Sequence, residues 1–158
     1  MGNGSMNCDG IAKNYKKSGG ETNKEYLQRI KRDFLNKIFQ ERHYYKKIEV
    51  KFDKNQITVD GKKEVTAFFH VTSSDKNKNK RREVDIERYQ KCMLVFAILD
   101  NCKSITCTSI NVTVDPNYSD RLRIYCSKFR YTIVMKKKNS KYEFITAFPV
   151  SKNNEHKF

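Results

Sequence analysis

The sequence predicts an α+β fold, with an N-terminal helix and a central helix packed on a mainly antiparallel β-sheet. Three observations predict it. Residues 22–42 repeat apolar side chains at helical spacing, residues 85–101 combine a helix-start signal with an almost wholly apolar second half, and the remainder is dominated by short strand-like runs between turns. The order of helix, strands, helix and strands is typical of α+β proteins.

The first helix begins with a capping box, because Thr22 and Glu25 are spaced so that each side chain can satisfy the backbone amide of the other. Apolar residues then recur every four positions up to about residue 42. They are Tyr26, Ile30, Phe34 and Ile38.

Strand-like runs follow at residues 47–52, 56–59 and 65–71. The first alternates apolar and charged side chains, and Asp60-Gly61 is typical of a hairpin turn. The third run is mostly apolar, which indicates a strand that is central in the sheet or buried on both faces. Asp85 is then the expected N-cap of the second helix, and the later strands are expected at residues 105–114, 121–127, 130–136 and 142–149.

Polar segments at both ends of the chain flank a single predicted domain. Residues 1–22 are expected to be a disordered N-terminal tail, residues 23–150 a single α+β domain and residues 151–158 a flexible tail. No segment reaches the roughly 20 apolar residues of a membrane span, and we expect no signal peptide and no membrane partner.

The formal net charge is +15, from 33 Lys and Arg against 18 Asp and Glu. This surplus predicts binding to a polyanion, with nucleic acid first and anionic lipid second. The alternative is lysine enrichment in an AT-rich genome.

The five cysteines are odd in number and match no zinc-binding spacing, so we interpret them as small buried hydrophobes of a cytoplasmic protein. A disulfide from Cys102 to Cys107 or Cys126 is the alternative.

His70 is the first candidate for chemistry, since it ends the predicted strand and histidine side chains ordinarily titrate near pH ~6.5. The alternative is a half-buried histidine without function. The following loop supplies cations that can bind phosphate, namely Lys76, Lys78, Lys80, Arg81 and Arg82. Arg88 lies in the first turn of the second helix, where a phosphate is favoured and a cation is not. The alternative there is an ion pair with Asp85.

The C-terminal strands interleave aromatic and basic residues, as RNA-binding surfaces do. Alternation places Arg121, Arg123 and Tyr125 on one strand face, and residues 136–141 form a basic hairpin loop. The alternative is the ordinary wet face of an antiparallel sheet. The residues expected to bind RNA are Lys80, Arg81, Arg123, Arg130, Tyr131 and Lys137. No Gly-rich phosphate loop, HExxH motif or paired-carboxylate pattern occurs, so no metal or cofactor is expected.

Three segments together resemble the phage- and plasmid-borne nucleases grouped with barnase, EndoU, colicin E5/D and RelE. They are Phe69-His-Val-Thr-Ser73, Arg82-Glu-Val-Asp-Ile-Glu-Arg88 with Lys91, and Tyr142-Glu-Phe-Ile-Thr-Ala-Phe-Pro149. The resemblance covers residues 24–150. The chain departs from the family pattern in having no tryptophan, and Lys91 stands where an arginine is expected.

The resemblance implies a barnase/RelE-like fold and metal-independent cleavage of RNA by the ribose 2′-OH. It implies that His70 acts as general base or acid, that Arg82 and Arg88 bind the phosphate, and that Thr146 orients it. A phage effector or toxin of this kind would need tight control or an inhibitor or antitoxin protein. Two alternatives stay open, a non-catalytic nucleic-acid-binding module and a basic protein that binds an acidic partner.

Overall fold

A computed structural model describes residues 16–74, 83–102 and 110–158, without the side chains of residues 101 and 102. It confirms the α+β fold class. Its helices are α1 (Asn23–Gln40), α2 (Thr66–Thr72), α3 (Ile86–Lys91) and α4 (Leu94–Cys102). Its strands are β1 (His43–Tyr45), β2 (Ile48–Lys51), β3 (Gln56–Val59), β4 (Lys62–Val65), β5 (Ser73–Ser74), β6 (Glu83–Val84), β7 (Ile110–Asp115), β8 (Tyr118–Cys126), β9 (Tyr131–Lys138) and β10 (Lys141–Pro149). A 3₁₀ helix (Lys152–Lys157) follows.

Helix α1 starts as its sequence predicts. Thr22 accepts a hydrogen bond from the Glu25 amide at 3.1 Å, and the Glu25 carboxylate accepts one from the Thr22 amide at 3.0 Å. The four residues at helical spacing are all buried. The second predicted helix is interrupted at Cys92 and Met93, which separate α3 from α4. Asp85 caps the start of α3, because its carboxylate accepts a hydrogen bond from the Arg88 amide at 3.2 Å.

The prediction of a strand over residues 65–71 is wrong, because residues 66–72 form α2. A short apolar run with aromatic and β-branched residues does not distinguish a strand from a buried helix. Side chains also complete the helix end, where the last carbonyls lack intrahelical partners. Thr72 Oγ1 donates to Phe68 O at 2.8 Å, Ser73 Oγ donates to Phe69 O, and the Asp85 amide donates to Thr72 O at 2.8 Å.

Six of the described strands form one sheet in the order β1-β2-β10-β9-β8-β7. All its pairs are antiparallel except β2 with β10, which run parallel at Val50–Tyr142 and Lys51–Glu143. Strand β10 also lies against α2 and α3. A bulge interrupts the β9–β10 pairing between Phe144 and Thr146.

The core lies between the helices and one face of the sheet. Phe34 of α1 contacts Phe68 of α2 and Phe96 of α4, with ring centroids 5.3 and 4.9 Å apart. The sheet contributes fully buried side chains such as Ile124 and Ile133. Helix α4 is buried as its apolar sequence predicts. Among the described residues, no helix is long and apolar enough to cross a membrane.

Residues 16–22 and 151–158, the described parts of the two polar ends, are more structured than their composition indicates. Before α1, Glu21 forms an ion pair with Arg29 at 2.8 Å, whereas residues 1–15 of the expected N-terminal tail lie outside the described residues. The C-terminal 3₁₀ helix packs on the sheet face opposite the core. The Tyr125 hydroxyl donates to Glu155 at 2.6 Å, and the Phe158 ring contacts those of Tyr125 and Phe148. Residues 151–158 therefore form a cover on the sheet.

Candidate active site

A cleft of about 620 Å³, hereafter the first cleft, opens between the loop after β2, helix α2 and the first half of β10. The loop and the helix are joined by hydrogen bonds from the Ala67 amide to Asp53 O at 3.1 Å and from the Thr66 amide to Asn55 O at 2.8 Å. The polar side chains that line the cleft are Lys51, Asp53, Thr66, His70, Arg121, Glu143 and Thr146.

The strand register brings charged residues from distant parts of the chain to this cleft. Lys51 and Glu143 are partners in the parallel pair. Arg121 pairs with Lys136, which pairs with Glu143, so Arg121 and Glu143 lie on one sheet face two strands apart, about 10 Å. The first cleft thereby combines two cations with two carboxylates, counting Asp53.

His70 lies in the last turn of α2 rather than at the end of a strand, and its half-buried side chain lines the first cleft. Its main chain is held by two side chains. Nη2 of Arg88 donates to His70 O at 3.1 Å, and Oγ1 of Thr146 donates to the same oxygen at 3.0 Å. These bonds fix the position from which the imidazole enters the cleft.

Arg88 is buried and supports the cleft from behind, since it is not among the residues that line it. Its Nη2 also donates to Ala147 O at 2.7 Å and to Thr146 Oγ1 at 3.1 Å, and its guanidinium lies 5.7 Å from the centre of the Phe148 ring. Although Arg88 belongs to the first turn of α3, its charge meets the C-terminal end of α2, where the helix dipole favours a cation. This explains the position of Arg88 in its helix, for which the sequence had suggested a bound phosphate.

Thr146 connects these groups. Its hydroxyl accepts from Arg88 and donates to His70 O, while its side chain also lines the first cleft. The bulge before it adds one residue to β10, and bulges commonly redirect side chains beside functional sites. Three of the four predicted catalytic residues therefore converge, whereas Arg82 lies outside the described residues, as do Lys80 and Arg81.

Tyr131 cannot stack on a base in this fold, which corrects its assignment to RNA binding. The side chain is fully buried in the core, and its burial raises the pKa of its phenol well above the ordinary value. The alternation of β9 puts it on the same face as Ile133, towards the helices. The strand was predicted, but its sequence does not tell which of its faces is the inner one.

The other residues expected to bind RNA differ in their surroundings. Arg123 lies under the C-terminal cover, where its Nη2 donates to Lys157 O at 2.9 Å and its guanidinium stacks 4.6 Å from the Phe158 ring centre. Arg130 is exposed in the turn between β8 and β9, 3.6 Å from Glu155. Lys137 is exposed near the β9–β10 hairpin.

Four charged residues of the cleft are not among the site residues that the sequence predicts, namely Lys51, Asp53, Arg121 and Glu143. For Arg121 the sequence contains one indication, its alternation with Arg123 along the strand. For the other three it contains no indication, because the parallel pairing of β2 with β10 joins segments about 90 residues apart.

Among the described cysteines, Cys92 and Cys126 are buried and free, so Cys126 forms no disulfide.

No protein-family model matches this chain, and no curated protein or solved structure matches it either. The resemblance to the barnase–EndoU–colicin E5/D–RelE-like nucleases therefore rests on the residues of the chain itself.

Proposed function

We propose that the protein is a metal-independent endoribonuclease whose active site is the first cleft. The observation that supports this most is the convergence of His70 and Thr146 with two cations and two carboxylates in one cleft. In the proposed reaction the ribose 2′-oxygen attacks the adjacent phosphorus and the 5′-oxygen of the next nucleotide leaves. The product is a 2′,3′-cyclic phosphate, and no redox step is involved.

The reaction needs one group to accept the 2′-hydroxyl proton and another to protonate the leaving oxygen. His70 performs one of these transfers. Asp53 and Glu143 are the carboxyl groups that line the first cleft, and either is placed to perform the other. This assigns the second proton-transfer group to a carboxylate.

Arg121 and Lys51 are the proposed phosphate ligands. The Arg121 guanidinium lies 4.1 Å from the centre of the Tyr118 ring, and stacking of this kind leaves the edge of the guanidinium available to a phosphate. Arg88 and Thr146 act as positioning residues through the carbonyl of His70. Arg82 stays a predicted phosphate ligand.

The proposed setting is the cytoplasm, since the described cysteines Cys92 and Cys126 are free and such thiols are usual in a reducing compartment. A ribonuclease active there would be a toxin or phage effector and would be controlled by an inhibitor or antitoxin protein.

The test compares purified wild-type protein with His70→Gln on labelled RNA in EDTA, with His156→Gln as the matched control because His156 is exposed and outside the first cleft. We expect His70→Gln to reduce the cleavage rate about 10²- to 10⁴-fold. The control should cleave like wild type, and RNA with a 2′-deoxy group at the cleaved position should stay intact. Equal cleavage by both variants would show that the assignment of His70 is wrong.

A second candidate is a non-catalytic RNA-binding module. Arg88 and the Thr146 hydroxyl both form hydrogen bonds to the protein's own main chain, which favours this candidate. It predicts RNA affinity that falls with salt, without cleavage by the wild-type protein. Absence of RNA binding at about 100 mM salt would instead favour an acidic protein partner.

A further inference from the structure

A second cleft, of about 610 Å³, lies between α3, the turn joining β8 to β9, and the segment after β10. Its lining includes one carboxylate, Glu87, and four cations, which are Lys91, Lys128, Arg130 and Lys152. The excess of three positive charges makes this concave surface a site for anions.

The backbone of Arg130 is strained in this second cleft. Its φ is +50°, in the left-handed region that is uncommon for residues other than glycine, asparagine and aspartate. Its carbonyl accepts from the Val150 amide, at 2.6 Å, which fixes the turn against the end of β10. A strained residue that the surrounding structure holds in place is frequent at binding sites. The Glu155 carboxylate, 3.6 Å away, is partly exposed and competes only weakly with a phosphate.

Phe129 adds an aromatic surface to the same wall. Its ring is half-buried, lines the second cleft and lies 5.9 Å from the Lys128 ammonium. Surfaces that bind single-stranded nucleic acid combine cations for the phosphates with aromatic rings on which bases stack. This combination favours single-stranded RNA over a small inorganic anion.

Both clefts are lined by β10, the first up to Thr146 and the second from Pro149. Three residues of a strand span about 10 Å, and a nucleotide of a stacked strand advances about 3.4 Å. At least about three nucleotides are therefore needed to connect the two clefts. We propose that the second cleft binds the backbone phosphates of the RNA strand that occupies the first cleft. The inference rests on the proposed function, because it takes RNA as the occupant of the first cleft.

The test uses the double variant Arg130→Gly/Lys152→Ser. Glycine removes the charge and also relieves the left-handed strain, so this change is compatible with a folded protein. The matched control is Lys47→Gly/Lys62→Ser. Lys47 also has a positive φ, +71°, both lysines are exposed, and neither lines either cleft. The two double variants lose the same net charge. A difference between their RNA affinities therefore depends on where the removed cations lie and not on the total charge.

Fluorescence anisotropy measures the affinity for RNA of about 3 and about 12 nucleotides. We expect the cleft variant to bind the longer RNA about tenfold or more weakly than the control, with a shallower salt dependence by about 0.7 per lost phosphate contact. The ratio of the affinity for the longer RNA to that for the shorter RNA should also be smaller in the cleft variant than in the control. Equal affinity of both double variants for the longer RNA would overturn the inference. The His70→Gln cleavage assay is separate, so its failure removes the proposed chemistry without affecting this comparison.

Discussion

Nη2 of Arg88 donates a hydrogen bond to the carbonyl oxygen of His70, 3.1 Å away, and so joins the start of α3 to the last turn of α2. The bond explains why an arginine occupies a position that is unfavourable within its own helix. It also makes the orientation of His70 depend on a residue that does not line the first cleft.

Arg88→Met should destabilise the protein, because it leaves the oxygens of His70 and Ala147 without the bonds that Nη2 provides. Loss of a charged donor to buried acceptors costs about 3 kcal/mol in free energy of unfolding, which urea denaturation measures. Arg32→Met is the control, since its side chain is 65% exposed and its change should stay within about 0.5 kcal/mol. Similar values for both variants would contradict the buried role of Arg88.

Thr146→Val should reduce RNA cleavage more than Thr146→Ser. Valine keeps the shape of threonine but removes the hydroxyl that donates to His70 O, whereas serine keeps the donor. We expect the valine variant to lose about 1 kcal/mol of stability and about tenfold in kcat, with little change in KM, because the hydroxyl positions His70. A rise in KM alone would indicate that Thr146 contacts RNA directly.

Arg121→Gln should weaken RNA binding and reduce its salt dependence. If Arg121 contacts one phosphate, the slope of log affinity against log salt should become shallower by about 0.7. Arg42→Gln is the control, because Arg42 is exposed and outside both clefts. An unchanged slope for Arg121→Gln would remove this residue from the phosphate site.

Alkaline pH should loosen the C-terminal cover through Tyr125. Burial, together with the Glu155 carboxylate, raises the pKa of Tyr125 to about 12 from its ordinary value of 10.0. The stabilisation is therefore complete below pH 10 and is lost as the pH rises towards 12. We expect the free energy of unfolding to fall less over this window in Tyr125→Phe than in wild type. Tyr118→Phe, on an exposed ring, should keep the wild-type pH dependence.

Local signals in the sequence were sufficient for much of the fold. The capping box at Thr22, the four-residue spacing from Tyr26 to Ile38 and the N-cap at Asp85 each act within a few residues, and the structure confirms all three. Helix α2 was predicted as a strand because its conformation depends on distant residues. Besides Thr72 and Ser73, two side chains hold its end from distant positions, and they are 18 and 76 residues from His70 in sequence.

Only part of the candidate site was predictable from the sequence. His70 and Thr146 stood in recognisable motifs, and they do converge. The exposure of Tyr131 and Arg123 depends on which face of the sheet meets the helices and which meets the C-terminal cover, and neither follows from strand alternation. Lys51 and Glu143 become neighbours only through the parallel pair of β2 with β10.

That parallel pair also sets when the first cleft can exist during synthesis. Residues 50 and 51 are made early, but their partners Tyr142 and Glu143 belong to β10, the last of the described strands to leave the ribosome. Contacts between such distant residues form late in folding, because closing the long intervening loop has an entropic cost. A nascent chain that stops short of β10 therefore carries His70 without its cleft, and under the proposed function such ribosome-bound fragments would not cleave the messenger RNA that encodes them.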